Sequence, residues 1–250
     1  MAEVQYKSNV AVFKPTAIML SMQEAQILKL NTVANNLANA TTNGFQSFSL
    51  STEEVVYKTK DNKDISYVKT AALVRDTTNG SLMNTGAPLH AALVGNGYFI
   101  VNTPQGTRYT RNGEFLTDTD GKLITTAGHP VLSAGGSEIL LPGSLKNISI
   151  AQDGTLSSNN TILGKIGVVE FDDEQALVSE GLSLFKTSAD AQPSHAPHIV
   201  QGSLESSNVS PMVESMRMLE LLRLFENAQK VIDEFEQLQK KMINASPQNA

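Results

Sequence analysis

The chain predicts a mixed α and β fold, in which long N- and C-terminal helices pair as a coiled coil and flank a central antiparallel all-β domain. Three observations predict it. Near each end of the chain, apolar residues recur at alternating steps of three and four, the spacing of a helix whose seam wants another helix. Between them, short apolar or alternating runs are broken by Gly, Asn, Asp and Pro, the mark of strands joined by tight turns. No third strong helix pattern intervenes, so the two seams are left to cover each other.

In chain order, residues 1–15 read as an extension closed by Pro15. A helix follows over 16–45, with Leu20, Ile27, Leu30, Ala34 and Leu37 on one face and Gln23 in the remaining slot. Thr41-Thr42-Asn43-Gly44 stops it, with Gly44 in the left-handed position after the helix. Residues 46–80 are polar and Thr-rich, an extended connector with a strand or two. The β-domain spans 81–200, and its apolar runs include 98–101, 122–124, 138–141, 148–150 and 166–171. Such spacing suits a barrel or a sandwich. Asn79-Gly80, Asn112-Gly113, Asp120-Gly121 and Asp153-Gly154 are turn pairs that accept positive φ.

A return connector, 201–210, leads to the C-terminal helix over 211–244. Its start is well marked: Ser210 can cap, Pro211 suits the first helical position, and Glu214 follows in the first turn. The seam runs through Leu221, Leu224, Ala228, Val231, Phe235, Leu238 and Met242, widened by Met218, Leu222, Phe225 and Ile232. A lone helix with such a face is unstable in water and must be covered. Residues 245–250 read as an unordered tail.

Composition removes several function classes. The chain has 250 residues, 40% hydrophobic and 18% charged, with no Cys and no Trp. Without Cys there is no disulfide, no thiol nucleophile and no Cys-based zinc or iron–sulfur site. The formal net charge is −6 and the cationic residues are scattered, which argues against nucleic acid as a partner. No run of eighteen apolar residues is present to span a membrane. Residues 1–7 carry both signs of charge and lead into no clean apolar segment, so no secretory signal peptide is visible. Composition leaves the compartment open.

Catalytic motifs fail one by one. His195 and His198 form a pair interrupted by Pro197, with no third ligand, and His90 and His129 stand singly beside turn residues. Asp118, Asp120 and Gly121 lack the closing Glu of a calcium loop. Gly95-Asn96-Gly97 begins like a dinucleotide fingerprint, yet Ile100 replaces the third Gly and a strand follows. Asp172-Asp173 reads as a solvated turn. The expectation is no enzyme, no cofactor and no metal.

One oddity remains at Val33–Ala40, where Asn35, Asn36 and Asn39 crowd a helix end and lower its propensity. They are either solvated amides of a fraying end or a polar patch that fixes register between packed helices. Here the chain resembles a known family. The stretch Leu30-Asn31-Thr32-Val33-Ala34-Asn35-Asn36-Leu37-Ala38-Asn39-Ala40-Thr41-Thr42-Asn43-Gly44-Phe45 is similar to the signature of flagellar rod and hook proteins. Gly95–Phe99, Tyr109–Phe115 with Asp120–Leu123, and Leu204–Pro211 resemble three further segments of that family, in the same order. The resemblance covers about 17–242. Asn31 stands where the family has Asp, and Ser21-Met22 where it has a Ser-Gly pair. Length and the tail Phe225–Ile232 are most similar to a proximal-rod member, with a distal-rod member as near alternative.

The resemblance implies an inner coiled coil of terminal helices with the β-domain outside it, and helical stacking of copies into a hollow periplasmic rod that transmits torque to the hook. It implies export by the flagellar type III apparatus without a cleaved signal. Partners would be other copies, other rod proteins and that apparatus. The assembly interface is expected at Leu30, Asn35, Asn36, Leu37 and Asn39, and at Leu221, Leu224, Ala228, Val231 and Phe235. The alternative is a monomeric β-domain binding module whose terminal helices close on themselves.

Overall fold

A computed structural model describes residues 2–58, 64–141, 148–159, 161–181 and 183–245, so residues 246–250 of the expected tail lie outside the described residues. Two long helices stand at the chain ends, α1 (Ala2–Ala38) and α2 (Pro211–Ala245). No helix among the described residues is long and apolar enough to cross a membrane. The contacts divide the chain into two compact units. Unit 1 comprises 1–37, 48–74 and 210–250, and unit 2 comprises 38–47 and 75–209.

Both ends of α1 differ from expectation. The stretch 1–15 is helical from Ala2 instead of forming an extension, and the helix runs on through Pro15. Proline already holds a helix-like φ, so a long helix can pass through it at the loss of one backbone hydrogen bond. The C-terminal end comes at Ala38, well before 45. There the Asn39 carbonyl accepts from Thr42 N at 3.0 Å and Asn39 Oδ1 accepts from Thr42 Oγ1 at 3.1 Å. Short polar side chains offer the backbone an alternative to the helical ladder, and here the alternative wins. Gly44 does adopt φ +67°, but in the turn beyond the helix, where its N–H donates to the Glu205 carbonyl at 2.8 Å.

The start of α2 agrees with its capping pattern. Pro211 is its first residue, where no N–H is needed, and Glu214 N makes an early helical bond to the Ser210 carbonyl at 3.0 Å. The polar connector carries two strands: β1 (Phe48–Lys58) and β2 (Asp64–Arg75) form a two-stranded sheet.

Unit 2 begins its strands with β3 (Leu82–Asn84), β4 (Ala91–Val94), β5 (Tyr98–Thr103), β6 (Gly106–Thr110), β7 (Phe115–Thr117) and β8 (Leu123–Thr125). They continue with β9 (Ile148–Ile150), β10 (Thr155–Ser158), β11 (Thr161–Lys165), β12 (Val168–Glu170), β13 (Val178–Gly181) and β14 (Leu184–Lys186). The last are β15 (Gln192–Pro193), β16 (His198–Gln201) and β17 (Ser203–Glu205), the last of which lies inside the expected return connector. The barrel-or-sandwich expectation resolves as a six-stranded antiparallel sheet, β13-β14-β6-β5-β12-β15, with a three-stranded sheet β11-β10-β9 and the pairs β16-β4, β17-β3 and β7-β8. The run at 138–141 makes only isolated bridges at Glu138 and Leu140, although Ile139 and Leu141 are buried.

Alternation across the six-stranded sheet explains the core. Phe99, Val101, Val168 and Leu184 face one apolar cluster with Leu93, Phe115, Leu123, Ile150, Leu156 and Ile199 from the smaller sheets. Their neighbours Tyr98, Val169 and Phe185 face a second cluster with Phe171 and Leu177. The sheet edges are blunted. β15 carries Pro193, while β13 has a register shift between Ser179 and Gly181 and holds Glu180 against Lys186 at 2.6 Å.

The turn glycines divide into two kinds. Gly121 (φ +81°) and Gly154 (φ +89°) turn the β7–β8 and β9–β10 hairpins as expected. Gly80 and Gly113 do not have positive φ, so that reading of their Asn-Gly pairs is corrected. They are needed for space instead: a Cβ on Gly80 would lie 1.7 Å from the Ser206 carbonyl oxygen, and one on Gly113 1.6 Å from that of Ala91.

Candidate assembly surface

The covered face of α2 is a heptad row, but not the row that apolar counting selects. Met218, Leu221, Phe225, Ala228, Ile232, Phe235 and Gln239 are half-buried, spaced by alternating threes and fours. The expected seam shares Leu221, Ala228 and Phe235 with it. Its other members, Leu224, Val231, Leu238 and Met242, are 46% to 62% exposed. Leu224, Val231 and Leu238 each lie one residue before a member of the covered row, about 100° around the helix. A third row, Met212, Met216 and Leu219, is exposed on another face of the first turns. The first turns of α2 thus carry apolar residues on more than one face.

On α1 the phase is displaced as well. Among its residues from Met19 onward the buried positions are Ala25, Val33 and Asn36, while Leu20 and Ile27 of the expected stripe are exposed. Leu30, Ala34 and Leu37 are half-buried and Asn35 is exposed. Asn36 explains the displacement. Only 2% exposed, it uses its amide as a backbone mimic: Nδ2 donates to the Phe48 carbonyl at 2.8 Å and Oδ1 accepts from Phe48 N at 2.9 Å. A polar residue therefore occupies the inner face and holds the first residue of β1. Gln23 Nε2 donates to Gln229 Oε1 at 3.0 Å, tying α1 to α2 within unit 1. Asn39, by contrast, lies in unit 2 at the turn that ends α1.

Beside these helices is an open groove of roughly 320 Å³ lined by Val33, Phe48, Leu50, Glu214, Leu221 and Leu224 among others. Glu214 is buried, with Oε1 accepting from Arg217 Nη1 at 2.6 Å.

Unit 2 carries a second polar constellation, and its centre is Arg111. The Arg111 and Glu205 side chains are each 2% exposed and form an ion pair at 2.9 Å. Nε of Arg111 donates to Glu205 Oε2 at 2.9 Å, Nη1 donates to the Gly95 and Gly97 carbonyls at 2.9 and 2.7 Å, and Nη2 donates to Asn79 Oδ1 at 2.7 Å. Four hydrogen bonds and the ion pair compensate the guanidinium, which is what a buried arginine requires. Glu205 Oε1 in turn accepts from Gly80 N at 3.0 Å. Close by in the chain, Asn208 accepts from Ser47 N at 2.7 Å and donates to the Asp76 and Thr78 carbonyls, both at 3.0 Å.

Among the described residues, Arg75 is the other buried cation of this unit. It donates to Gln46 Oε1 at 2.7 Å, to the Tyr98 hydroxyl at 3.3 Å and to the Glu174 carbonyl, and it stacks 4.4 Å from the Phe185 ring centre. Burial pushes the Tyr98 hydroxyl above the usual tyrosine range, with Glu174 adding to it and Arg75 and Arg111 opposing it.

Arg111, Glu205, Asn208, Arg75 and Gln46 were not singled out by sequence reasoning, and Asn79 was read only as part of a turn pair. A signal was present: most of them lie in or beside the segments that carry the family resemblance. What turn chemistry alone could not show is that those segments converge.

Comparison with known proteins agrees with the geometry. Residues 21–46 match the family described as flagella basal body rod protein. Residues 92–158 match the flagellar hook protein FlgE/F/G D1 domain, and residues 200–245 the flagellar basal body rod FlgEFG protein C-terminal region. The flagellar basal-body rod protein FlgF of Caulobacter vibrioides is 35% identical, over 90% of this chain and 94% of its own length. The FlgF of Mesorhizobium japonicum is also 35% identical, over 84% and 88%. The flagellar basal-body rod protein FlgG of Bacillus subtilis is 28% identical, over 86% and 92%. These relatives are structural rod proteins, not enzymes.

Proposed function

Since the chain belongs to the flagellar basal-body rod protein family, we propose that it is a rod subunit that assembles helically through its terminal helices. The rod it builds is the periplasmic drive shaft that transmits torque to the hook. Its partners are other copies of itself and other rod proteins, and it reaches the periplasm through the flagellar type III export apparatus without a cleaved signal peptide. Within the family, the two FlgF relatives at 35% identity favour the proximal rod, with the distal rod as the near alternative.

The observation that carries this reading is the exposed row Leu224, Val231, Leu238 and Met242. It is apolar, it keeps helical spacing, and it is exposed. The row Met212, Met216 and Leu219 occupies a different face. Contact between two different faces of successive copies does not close as a dimer, and propagates as a helix when the rotation between copies does not close a ring. The interface residues proposed are Leu221, Leu224, Ala228, Val231 and Phe235 on α2, and Leu30, Asn35, Asn36, Leu37 and Asn39 at the end of α1. Asn36 would act there indirectly, by holding β1 against α1.

Leu224→Asp and Val231→Asp test it. Each should leave purified protein folded, with stability within about 0.5 kcal/mol because the position is exposed, yet block rod formation and motility. A complete rod built from either variant would overturn the proposal. The rival reading, a monomeric β-domain binding module with self-closed helices, draws support from the Gln23–Gln229 bond between the two helices of one chain. It requires a monomer at every concentration in sedimentation.

A further inference from the structure

We propose that Asn96 is the site of spontaneous deamidation in the folded chain, and that the fold protects the other three Asn-Gly pairs. The four pairs are Asn43-Gly44, Asn79-Gly80, Asn96-Gly97 and Asn112-Gly113. In this reaction the backbone nitrogen of the glycine attacks the asparagine side-chain carbonyl carbon. A C–N bond forms, ammonia leaves, and a five-membered succinimide results. Water then opens the ring at either carbonyl, giving aspartate or isoaspartate. The net change is one water consumed and one ammonia released, with no oxidant or metal. The reaction needs an amide free to rotate onto the next nitrogen, and glycine favours it because no side chain obstructs the approach.

Three pairs deny that freedom. Asn43 Nδ2 is held by Glu114 Oε2 at 3.0 Å, and the attacking Gly44 N is itself donating to the Glu205 carbonyl. Asn79 is held at both ends of its amide, by Arg111 Nη2 at 2.7 Å and by the Gly95 carbonyl at 3.2 Å, and Gly80 N donates to Glu205 Oε1. Asn112 Oδ1 accepts from Glu114 N at 3.0 Å, and Gly113 is pressed against Ala91 with no room for a Cβ. Asn96 is exposed, and among the described residues no hydrogen bond holds its amide.

The position gives the modification a consequence. Asn96 separates the two carbonyls, of Gly95 and Gly97, that clasp Arg111 Nη1. Aspartate preserves their spacing. Isoaspartate routes the main chain through the former side chain and adds a methylene between them, so one carbonyl must leave Arg111. The two products therefore differ in stability, isoaspartate being the weaker.

The test is to age the full-length chain in warm, mildly alkaline buffer, folded and in parallel in concentrated urea, and to map amide-to-acid conversion by peptide mass spectrometry. In the folded chain Asn96 should convert at least about fivefold faster than Asn43, Asn79 or Asn112, the factor set by one hydrogen bond that must first be broken. In urea the four rates should converge. Separated isoaspartate product should unfold at lower denaturant than the Asn96→Asp variant, which should match the unaged chain. Earlier conversion at another pair, an unchanged order in urea, or an Asn96 that survives while the unfolded chain reacts would each overturn the proposal.

Discussion

At the scale of single residues, the most consequential pair is Arg111 and Glu205, because both charges are buried and the guanidinium makes four hydrogen bonds. Lysine cannot reproduce that fork, and Gln cannot neutralise the charge. Arg111→Lys or Glu205→Gln should cost about 3–5 kcal/mol, as expected when one member of a buried pair is lost. Urea unfolding measures the cost, and a double-mutant cycle should show the two changes to be far from additive. Tyr98 supplies a pH test. Its folded-state pKa is raised, so the neutral hydroxyl is the form the fold favours. That contribution is fully present below the unfolded value, about pH 10, and is lost as pH rises through the folded value. Stability should fall on the alkaline side, and Tyr98→Phe should flatten that part of the profile. Residues of this kind are hard to find in a sequence. Arg111 and Glu205 are 94 positions apart, and no local pattern announces that two charges will neutralise each other in a core. Asn36 was legible as an oddity, but its partner, the Phe48 backbone, was not.

At the scale of elements, the two helices and most of the strands were readable, because periodicities of 3.6 and 2 follow from which face is buried. The phase of the helices was not. Apolar residues on α2 occupy more than one face, so counting could not separate the row covered within the chain from the row left open. That difference is itself testable. Ile232→Asp places a charge on the covered row and should lower helix content and melting temperature of the free protein. Val231→Asp, its neighbour, should leave both unchanged in circular dichroism while abolishing assembly. Equal losses of helix in the two variants would show that the rows are not distinct. The ends of α1 were misread for a local reason: Pro15 was weighed as a breaker and Gly44 as a stop, whereas the asparagine-threonine turn ends the helix first.

At the scale of the whole molecule, the division into two units predicts two steps in unfolding. Calorimetry of the full chain should resolve two transitions, with the early one lost when α2 is truncated after Val209 and the later one, from the β-sheets, retained. A single cooperative transition would mean that the β-sheets depend on the helices. Circular dichroism combined with sedimentation carries the same question to assembly. Helix that rises with association supports a coiled coil completed by neighbours. A fully helical monomer at all concentrations supports the self-closed module.

Asn208 has a mechanical meaning beyond its hydrogen bonds. Its one amide ties Ser47, Asp76 and Thr78, and these, with Asn208 itself, sit where the chain crosses in or out of unit 2. Tension applied along any one of those segments loads bonds that share a single rigid group. They resist in parallel, as rivets under shear, and do not peel apart one after another. A chain stretched between its ends should yield in its helices and its long hairpin before this rivet releases the β-sheets, and Asn208→Ala should bring that release to lower force.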